Sequence, residues 1–370
     1  MQEERSRRAS LSWRPSSRTQ SPIRIWRRGA GAAPRGRAHR SRIRTMQQSG
    51  TAAEIRRRIT GALGLRADLH VHSSYSHDVP GLPAFSPRAL YDLAVERGMG
   101  LFTLTDHDTL DGFLALQREL RSVYGNHPPI PLISGVELKV CDPAVGHTIH
   151  LNVLGLTQEQ MIDLMRRAHN VEAFVGYCRD RGLFHVYNHP FWFERGERAN
   201  LGAVESLIER LPVIELNAGR IRELNARTEE LARRYSKPVV AASDTHTGQI
   251  GKSFTVAPGK SAAEFLENVL GGQAQVFPQH IAFREFLAEI SLTVDLFLQG
   301  MTRQAELPLP KGIDPRTEFW GRMLGRRWLF QRPLTRRGLG AIFKLLARPP
   351  AQAFIREQHR MLLRLDEGQC

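Results

Sequence analysis

Between residues 66 and 272, short apolar segments alternate with longer segments of helical periodicity. An apolar run of about four to eight residues is typical of a buried strand, and apolar residues three or four positions apart are typical of a helix packed on a sheet. This alternation favours a parallel α/β sheet, either open or closed into a barrel. The predicted strands are residues 67–71, 101–104, 131–135, 149–154, 183–187, 213–216 and 238–241.

The helical segments begin and end at residues that commonly stand at helix boundaries. Ser86 and Pro87 open the first segment, since serine caps a helix and proline fits its first turn. Gly98, Gly182 and Gly271 stand where helices should end, because glycine adopts the backbone conformation found there. The predicted helices are residues 86–98, 110–125, 157–182, 199–211, 221–236 and 261–272.

Histidine, aspartate or glutamate lies at or just beyond the carboxyl end of nearly every predicted strand. In a barrel those ends converge on one mouth, where catalytic groups gather. In an open sheet they would spread along a line too long for a single site. The residues themselves therefore favour a parallel barrel with one polar mouth.

The first strand leads into Asp68, His70 and His72 at every second position, so these side chains are expected to share one face. Two imidazoles so placed can bind one cation, although an isolated pair usually means little. Mixed imidazole and carboxylate ligands suit Zn, Mn or Fe better than Mg or Ca. Burying many ionisable groups together is costly without cations, so we expect more than one metal ion. The further candidates are Asp106, His107, Asp108, Glu137, His147, His150, His185, His189, Asp244 and His246.

The motifs "DLHVHSSYS", "TDHDTLDG", "GVEL", "NHP" and "SDTHTG" occur in this order along the chain. Their combination resembles the PHP family, named for polymerase and histidinol phosphatase, over roughly residues 66–272. The resemblance implies an α/β fold, namely a distorted seven-stranded β/α (TIM-like) barrel. It also implies a phosphoesterase site with two or three divalent metal ions at the carboxyl ends of the strands.

The resemblance further implies roles for single residues. His70 and His72 resemble ligands of a first metal, with Asp244 completing that site, and Glu137 resembles a carboxylate that bridges two metals. The implied ligands of the second metal are His150 and His189, and those of the third metal are His107 and His246.

Two adjacent residues qualify as a further ligand of the third metal. The family places this ligand five or six residues after the second histidine of the first motif, and both His77 and Asp78 stand there. We favour His77, with Asp78 close behind. His147 and His185 are the expected decoys, structural histidines that do not bind metal.

The expected reaction is hydrolysis of a phosphate ester, because paired cations lower the pKa of a bound water and give hydroxide near neutral pH. His107 or His246, where it is not fully committed to a metal, would protonate the leaving oxygen, and together with Asp244 they are the predicted catalytic residues. We expect Asp68 and Asp106 to orient neighbouring histidine rings. Further candidates are Glu215 and Asn217 at the mouth, and Arg220 and Lys252 as phosphate clamps.

Two other functions compete with phosphate ester hydrolysis. An amidohydrolase also uses paired histidines on a barrel, but no suitable lysine for a bridging carbamate is evident in the strands. A regulatory module with a vestigial metal site is the second alternative, and the full set of candidate ligands argues against it. The expected substrate is a phosphorylated small molecule or an oligonucleotide, cleaved by a phosphatase or a nuclease-like phosphodiesterase.

The net charge of +15 is concentrated at the two ends of the chain. Residues 1–45 hold 13 arginines and two glutamates, and residues 301–370 hold 14 basic and six acidic residues. Residues 46–300 hold 25 basic and 29 acidic residues, so the predicted catalytic region is mildly acidic. The basic ends are therefore the segments that would contact nucleic acid or a membrane surface.

Four regions are expected along the chain. Residues 1–45 read as a disordered tail or an over-extended start before Met46, residues 46–65 as a lead-in, and residues 66–275 as the metal-dependent hydrolase domain. Residues 276–370 read as a basic helical extension, which we expect to pack as a cap rather than to form a membrane-binding or RNA-binding surface. Three widely spaced cysteines and no apolar run of 18 residues favour a cytoplasmic protein.

Overall fold

The computed structural model describes residues 64–194, 197–301 and 333–367. The predicted N-terminal tail and almost all of the lead-in lie outside these ranges. The described strands are β1 (Leu65–Ala67), β2 (Gly135–Val140), β3 (Ile149–Leu154), β4 (Phe184–Tyr187), β5 (Ile214–Asn217), β6 (Val239–Ala242), β7 (Phe254–Ala257) and β8 (Gln275–Phe277). The described helices are α1 (Pro87–Glu96), α2 (Asp111–Tyr124), α3 (Gln158–Met165), α4 (Val171–Asp180), α5 (Leu201–Arg210), α6 (Arg222–Arg234), α7 (Ala262–Leu270), α8 (Phe283–Met301), α9 (Pro333–Leu346) and α10 (Arg348–Asp366).

The strands form two sheets instead of one. A five-stranded sheet has the order β2-β3-β4-β5-β6, and a three-stranded sheet has the order β1-β7-β8. The pairs β4–β5 and β5–β6 are parallel, whereas β2–β3, β3–β4 and both pairs of the smaller sheet are antiparallel. The prediction of a wholly parallel sheet is wrong, because the loop between Val140 and Ile149 is too short for a crossover and gives an antiparallel pair. The predicted seven-stranded barrel is not confirmed, and no closed barrel is found among the described residues.

Isolated backbone bridges connect segments that lie outside the regular strands. The predicted strand at residues 101–104 forms only such bridges, from Leu101 to Ala67 and from Phe102 to Leu132. Two more bridges join Val71 to Thr245 and His107 to Glu137. All four are parallel, and the last two bring the ends of distant segments side by side at the polar site.

The predicted helix at residues 157–182 is divided into α3 and α4. Thr157 and Gln160 form a capping box at the start of α3. Asn170 starts α4, because its side-chain oxygen accepts a hydrogen bond from the backbone N–H of Ala173 at 2.8 Å. A second capping residue inside one apolar pattern is therefore the signal that divides this segment.

The helical C-terminal extension is confirmed as α8, α9 and α10. Ile355 and Met361 of α10 join the apolar core that contains Ile221 and Leu224. The side-chain oxygen of Gln358 accepts a hydrogen bond from the backbone N–H of Ile221 at 2.9 Å. In the described ranges, no helix combines the length and apolar composition needed to cross a bilayer.

Candidate metal centre

One buried carboxylate, that of Glu137 in β2, lies at the middle of the predicted site. Its Oε2 atom is 3.1 Å from His70 Nε2, 3.4 Å from His72 Nε2 and 3.2 Å from His107 Nδ1. His70 and His72 follow β1, whereas His107 lies just before α2. One oxygen of Glu137 therefore faces three imidazoles.

The other carboxylate oxygen of Glu137 faces a second group. Glu137 Oε1 lies 3.2 Å from His150 Nδ1 and 3.2 Å from His189 Nε2. It also accepts a hydrogen bond from Asn188 Nδ2 at 2.9 Å. His150 is in β3, while Asn188 and His189 follow β4, so neighbouring strands of the larger sheet bring this second group together.

Two aspartates complete the cluster at its more open side. Asp244 Oδ1 lies 3.4 Å from His70 Nε2 and 3.3 Å from His72 Nε2. Asp78 Oδ2 lies 3.1 Å from His107 Nε2 and 2.9 Å from His246 Nε2. Each aspartate thus lies between two imidazoles, so that its oxygen and the two ring nitrogens could bind the same cation.

Four sets of these side chains offer ligand atoms that lie within 4.8 Å of one another. The sets are His72–Asp78–His107–His246, His70–His189–Asp244, His70–His72–Glu137 and Glu137–His150–His189. His77, which the sequence favoured over Asp78, is in none of them. Its exposed ring is centred 5.1 Å from that of His107. The geometry thus brings together nine of the ten predicted ligands and favours Asp78 over His77.

The donor atoms fit bound cations. His70 Nε2, His72 Nε2, His107 Nδ1 and His150 Nε2 are buried and make no hydrogen bond. A buried polar atom without a hydrogen bond costs about 1–3 kcal/mol, and each of these four nitrogens lies within 3.7 Å of a carboxylate oxygen, so a cation bound between them would satisfy both groups. Imidazole nitrogens beside carboxylate oxygens are ligands suited to Zn, Mn or Fe.

Other contacts orient the rings. Glu215 Oε1 accepts a hydrogen bond from His70 Nδ1 at 2.7 Å, which leaves the lone pair of Nε2 facing Glu137. Glu215 Oε2 accepts from the backbone N–H of His189 at 2.8 Å and from Asn217 Nδ2 at 2.9 Å. His72 Nδ1 lies 3.2 Å from Ser76 Oγ. Glu215 thus connects two of the clustered histidines.

Asp68 and Asp106 were expected to orient neighbouring histidine rings, and their hydrogen bonds in the described ranges go to backbone N–H groups, including that of His70, and to the Ser73 hydroxyl. Asp68 accepts hydrogen bonds from the backbone N–H groups of Ser243 at 2.9 Å and Gly251 at 2.8 Å. Asp106 accepts from the backbone N–H and the hydroxyl of Ser73, at 2.6 and 2.7 Å. Both carboxylates therefore fix the loops that carry the histidines. Burial raises the pKa of each to about 6.

The charges around the cluster set the ionisation of its central groups. Burial by itself would raise the pKa values of Glu137 and Asp244, but the neighbouring charge of His70 outweighs it and lowers both well below their usual range. Burial likewise disfavours the charged form of His246, yet the bond to Asp78 raises its pKa to about 9. Burial and the charge of His246 lower the pKa of His72 to about 3. Positive charge inside the cluster, whether from an imidazolium or from a bound cation, thus favours the ionised form of both carboxylates.

A family model of the PHP domain matches residues 68–270, which is more than half of the chain. The chain belongs to the PHP domain family. No curated protein matches the sequence. The family assignment and the clustered imidazoles and carboxylates together support a metal-dependent hydrolase.

Three solved structures are similar to parts of this PHP-domain chain. One, from Bifidobacterium adolescentis, is provisionally named a metal-dependent phosphoesterase; it is 15% identical, covers 54% of this chain and 95% of its own, and has a TM-score of 0.40. PsfC from Pseudomonas syringae is 19% identical, with 65% and 99% covered and a TM-score of 0.44. An amidohydrolase from Chromobacterium violaceum, with bound sulfate and no metal, is 18% identical, with 55% and 96% covered and a TM-score of 0.40.

Other buried histidines of the PHP domain lie outside the cluster. The His147 ring packs edge-on against Phe193, with ring centres 4.8 Å apart. His185 Nδ1 donates a hydrogen bond to the carbonyl oxygen of Leu183 at 2.9 Å. Neither residue belongs to a set that could hold a metal among the described residues, as expected for the two decoys.

Three polar residues at the site were not singled out from the sequence. Asn188 and Ser76 stand inside motifs that were recognised, so their position beside the predicted ligands was the available signal. Glu194 lies 3.7 Å from His150 Nε2 and pairs with Lys139 at 2.7 Å. Nothing in the local sequence distinguishes Glu194 from other acidic loop residues.

The two candidate phosphate clamps differ in their surroundings. The buried guanidinium of Arg220 lies 4.6 Å above the ring of Trp192, and Nη1 donates to the carbonyl oxygen of Gly219 at 3.5 Å. Burial lowers the pKa of Arg220 to about 10. Lys252 forms an ion pair with Glu289 of α8. Arg220 is thus held by aromatic packing, whereas Lys252 lies on the wall of a cleft.

Proposed function

We propose that this PHP-domain protein hydrolyses a phosphate ester with two or three divalent cations, Zn, Mn or Fe. The observation that carries the proposal is the position of Glu137, whose two carboxylate oxygens face separate groups of imidazoles. A carboxylate so placed suits a bridge between two cations a few ångströms apart. Paired cations at that separation are typical of enzymes that cleave phosphate esters.

The same distances support a distribution of ligands. His70, His72 and Asp244 would hold the first cation, and His150 and His189 would hold the second, with Glu137 between them. His107, His246 and Asp78 would hold the third, and His77 is the alternative to Asp78. Bound cations supply a water of lowered pKa and neutralise charge on the phosphoryl group.

The remaining chemistry falls to the side chains of the chain itself. Glu215 holds His70 by its Nδ1 atom, and Asn217 Nδ2 donates to both Glu215 and Asp244. When only two cations are bound and His246 holds no metal, it is the better placed of the two predicted acids to protonate the leaving oxygen, because 29% of its side chain is exposed against 8% for His107. Asp244 would keep the His246 ring turned toward the cleft through the contact of its backbone oxygen with Nδ1 at 3.1 Å.

A direct test combines metal content with hydrolysis of an aryl phosphate. We expect His70→Ala to abolish hydrolysis while leaving the chain folded, because His70 touches Glu137, Glu215 and Asp244 together. Removal of metal by a chelator should abolish activity, and added Zn or Mn should restore it. Activity that survives either the substitution or the chelator would contradict the proposal.

We also propose broader features of the fold and of its surroundings. A distorted seven-stranded barrel is supported by the isolated bridges that join Val71 to Thr245 and His107 to Glu137. A cytoplasmic location and a contact of the basic ends with nucleic acid or a membrane remain predictions. The domain limits at residues 66–275 and 276–370 also remain predictions.

A further inference from the structure

A cleft of about 140 Å³ opens beside Asp244 and His246. One wall is the loop after β6, and the opposite wall is the inner face of α8. The loop contributes Thr247, Gln249 and Lys252, and α8 contributes Phe286, Glu289, Ile290 and Thr293. Since the family match ends at residue 270, the α8 wall belongs to the extension and not to the matched domain.

The cleft offers both hydrogen-bond donors and acceptors, and the charges of Lys252 on the loop wall and Glu289 on the α8 wall balance each other. Lys252 and Glu289 pair across it, so an ammonium and a carboxylate stand side by side. Gln249 Nε2 donates to Thr247 Oγ1 at 3.1 Å, and Thr293 adds another hydroxyl to the lining. Hydroxyl groups both donate and accept, so a neutral alcohol matches such a surface better than an anion or a cation does.

The α8 wall is fixed by contacts with the rest of the extension. The ring of Phe286 stacks on that of Phe354 in α10, with ring centres 4.7 Å apart. Phe354 in turn packs against Trp192, which follows β4. The wall is therefore anchored to the same loops that carry the clustered histidines.

We propose that α8 forms the specificity wall of the active site and receives the leaving alcohol of a small phosphomonoester. The proposal rests on the proposed phosphoesterase function. The cleft is smaller than the roughly 300–1,000 Å³ of pockets for drug-sized ligands, so the alcohol is small, and its lining selects one that carries several hydroxyls. The phosphoryl group lies at Asp244 and His246, and the alcohol lies between Lys252 and Thr293.

The test compares substitutions at two adjacent residues of α8. Thr293→Trp fills the cleft, whereas Leu292→Trp adds the same ring at a neighbouring residue that is 39% exposed and outside the cleft lining. For Thr293→Trp, we expect kcat/KM for glucose 6-phosphate to fall about tenfold or more while that for methyl phosphate stays within about twofold. Leu292→Trp should leave both values unchanged. Thermal unfolding checks that both variants are folded.

A second variant keeps the volume of the wall. Glu289→Gln removes the charged acceptor, and we expect a higher KM for glucose 6-phosphate with kcat for methyl phosphate unchanged. This measurement decides the question if Thr293→Trp does not fold.

The outcomes separate the two proposals. A metal-loaded wild-type protein that hydrolyses no phosphate ester overturns the phosphoesterase function. An active wild type that accepts methyl phosphate but not glucose 6-phosphate overturns the assignment of the cleft. Equal behaviour of Thr293→Trp and Leu292→Trp toward both substrates, or an unchanged KM in folded Glu289→Gln, overturns it too.

Discussion

The histidine cluster and the C-terminal extension are assembled in opposite ways. Five of the nine clustered residues are buried where apolar ones would be expected, and all but Asp78 stand within a few residues of a strand or bridge. The extension consists of amphipathic helices far along the chain, which reach the site only by packing, through contacts such as Phe286 on Phe354. If both proposals hold, the chemistry of this protein comes from the PHP domain and its substrate preference from the extension.

The largest effect should come from the centre of the cluster. Glu137→Gln keeps the shape but removes the charge facing five imidazoles, so kcat/KM for an aryl phosphate should fall by about a hundredfold or more, with loss of bound metal. Activity assays and elemental analysis of the purified variant measure both. His185→Gln, at a buried histidine outside the cluster, is the matched control and should keep its metal. A Glu137→Gln variant with full metal content would break the comparison.

A substitution in the core of the extension should lower the stability of the protein and leave its metal content unchanged. Ile355→Ala in α10 opens a gap in the core that contains Ile221, and it should lower the free energy of unfolding by about 2–3 kcal/mol. Denaturant titration measures the loss, and Arg356→Ala at the exposed neighbour serves as control. Metal content should stay unchanged. If Ile355→Ala releases the metals, the two regions are not independent.

The smallest effect on kcat is expected at the edge of the cluster, where substitutions of two adjacent residues can be compared. Asp78→Ala removes the carboxylate between His107 and His246 and should lower kcat about tenfold, equivalent to about 1.4 kcal/mol. His77→Ala should change kcat by less than about twofold, because its exposed ring belongs to no candidate set. Steady-state kinetics on one substrate compares them. The reverse order of effects would restore His77 as the ligand.

The pattern of apolar and polar residues within single segments was enough to predict several strands of the fold. The range of β3 was predicted without error, β4 begins one residue later than predicted, and β5 and β6 are each shifted by one residue toward the C-terminus. The segment at 101–104 was apolar enough to predict a strand, but its backbone makes only isolated bridges. Pairing between distant segments depends on tertiary contacts that the pattern of one segment does not contain.

The candidate ligands were predictable because they stand in motifs that resemble those of the PHP family, and most of them lie in or near predicted strands. The preference for His77 over Asp78 depended on which way two adjacent side chains point, and spacing alone does not give that. The partners of Asp68 and Asp106, backbone N–H groups and the Ser73 hydroxyl, were not predictable either, because no sequence motif reveals them. The cleft wall was not predictable, since α8 carries no recognisable motif.

Two clustered residues adopt left-handed backbone conformations, His189 with φ of 28° and Asp244 with φ of 52°. Such conformations cost on the order of 1 kcal/mol or more in non-glycine residues. Glycine at either position would remove this cost, but it would also remove a side chain of the histidine cluster, His189 beside Glu137 or Asp244 beside His70. Directed evolution that selects for thermal stability alone would therefore favour glycine at His189 and Asp244. Such an experiment must also select for catalytic activity in every round.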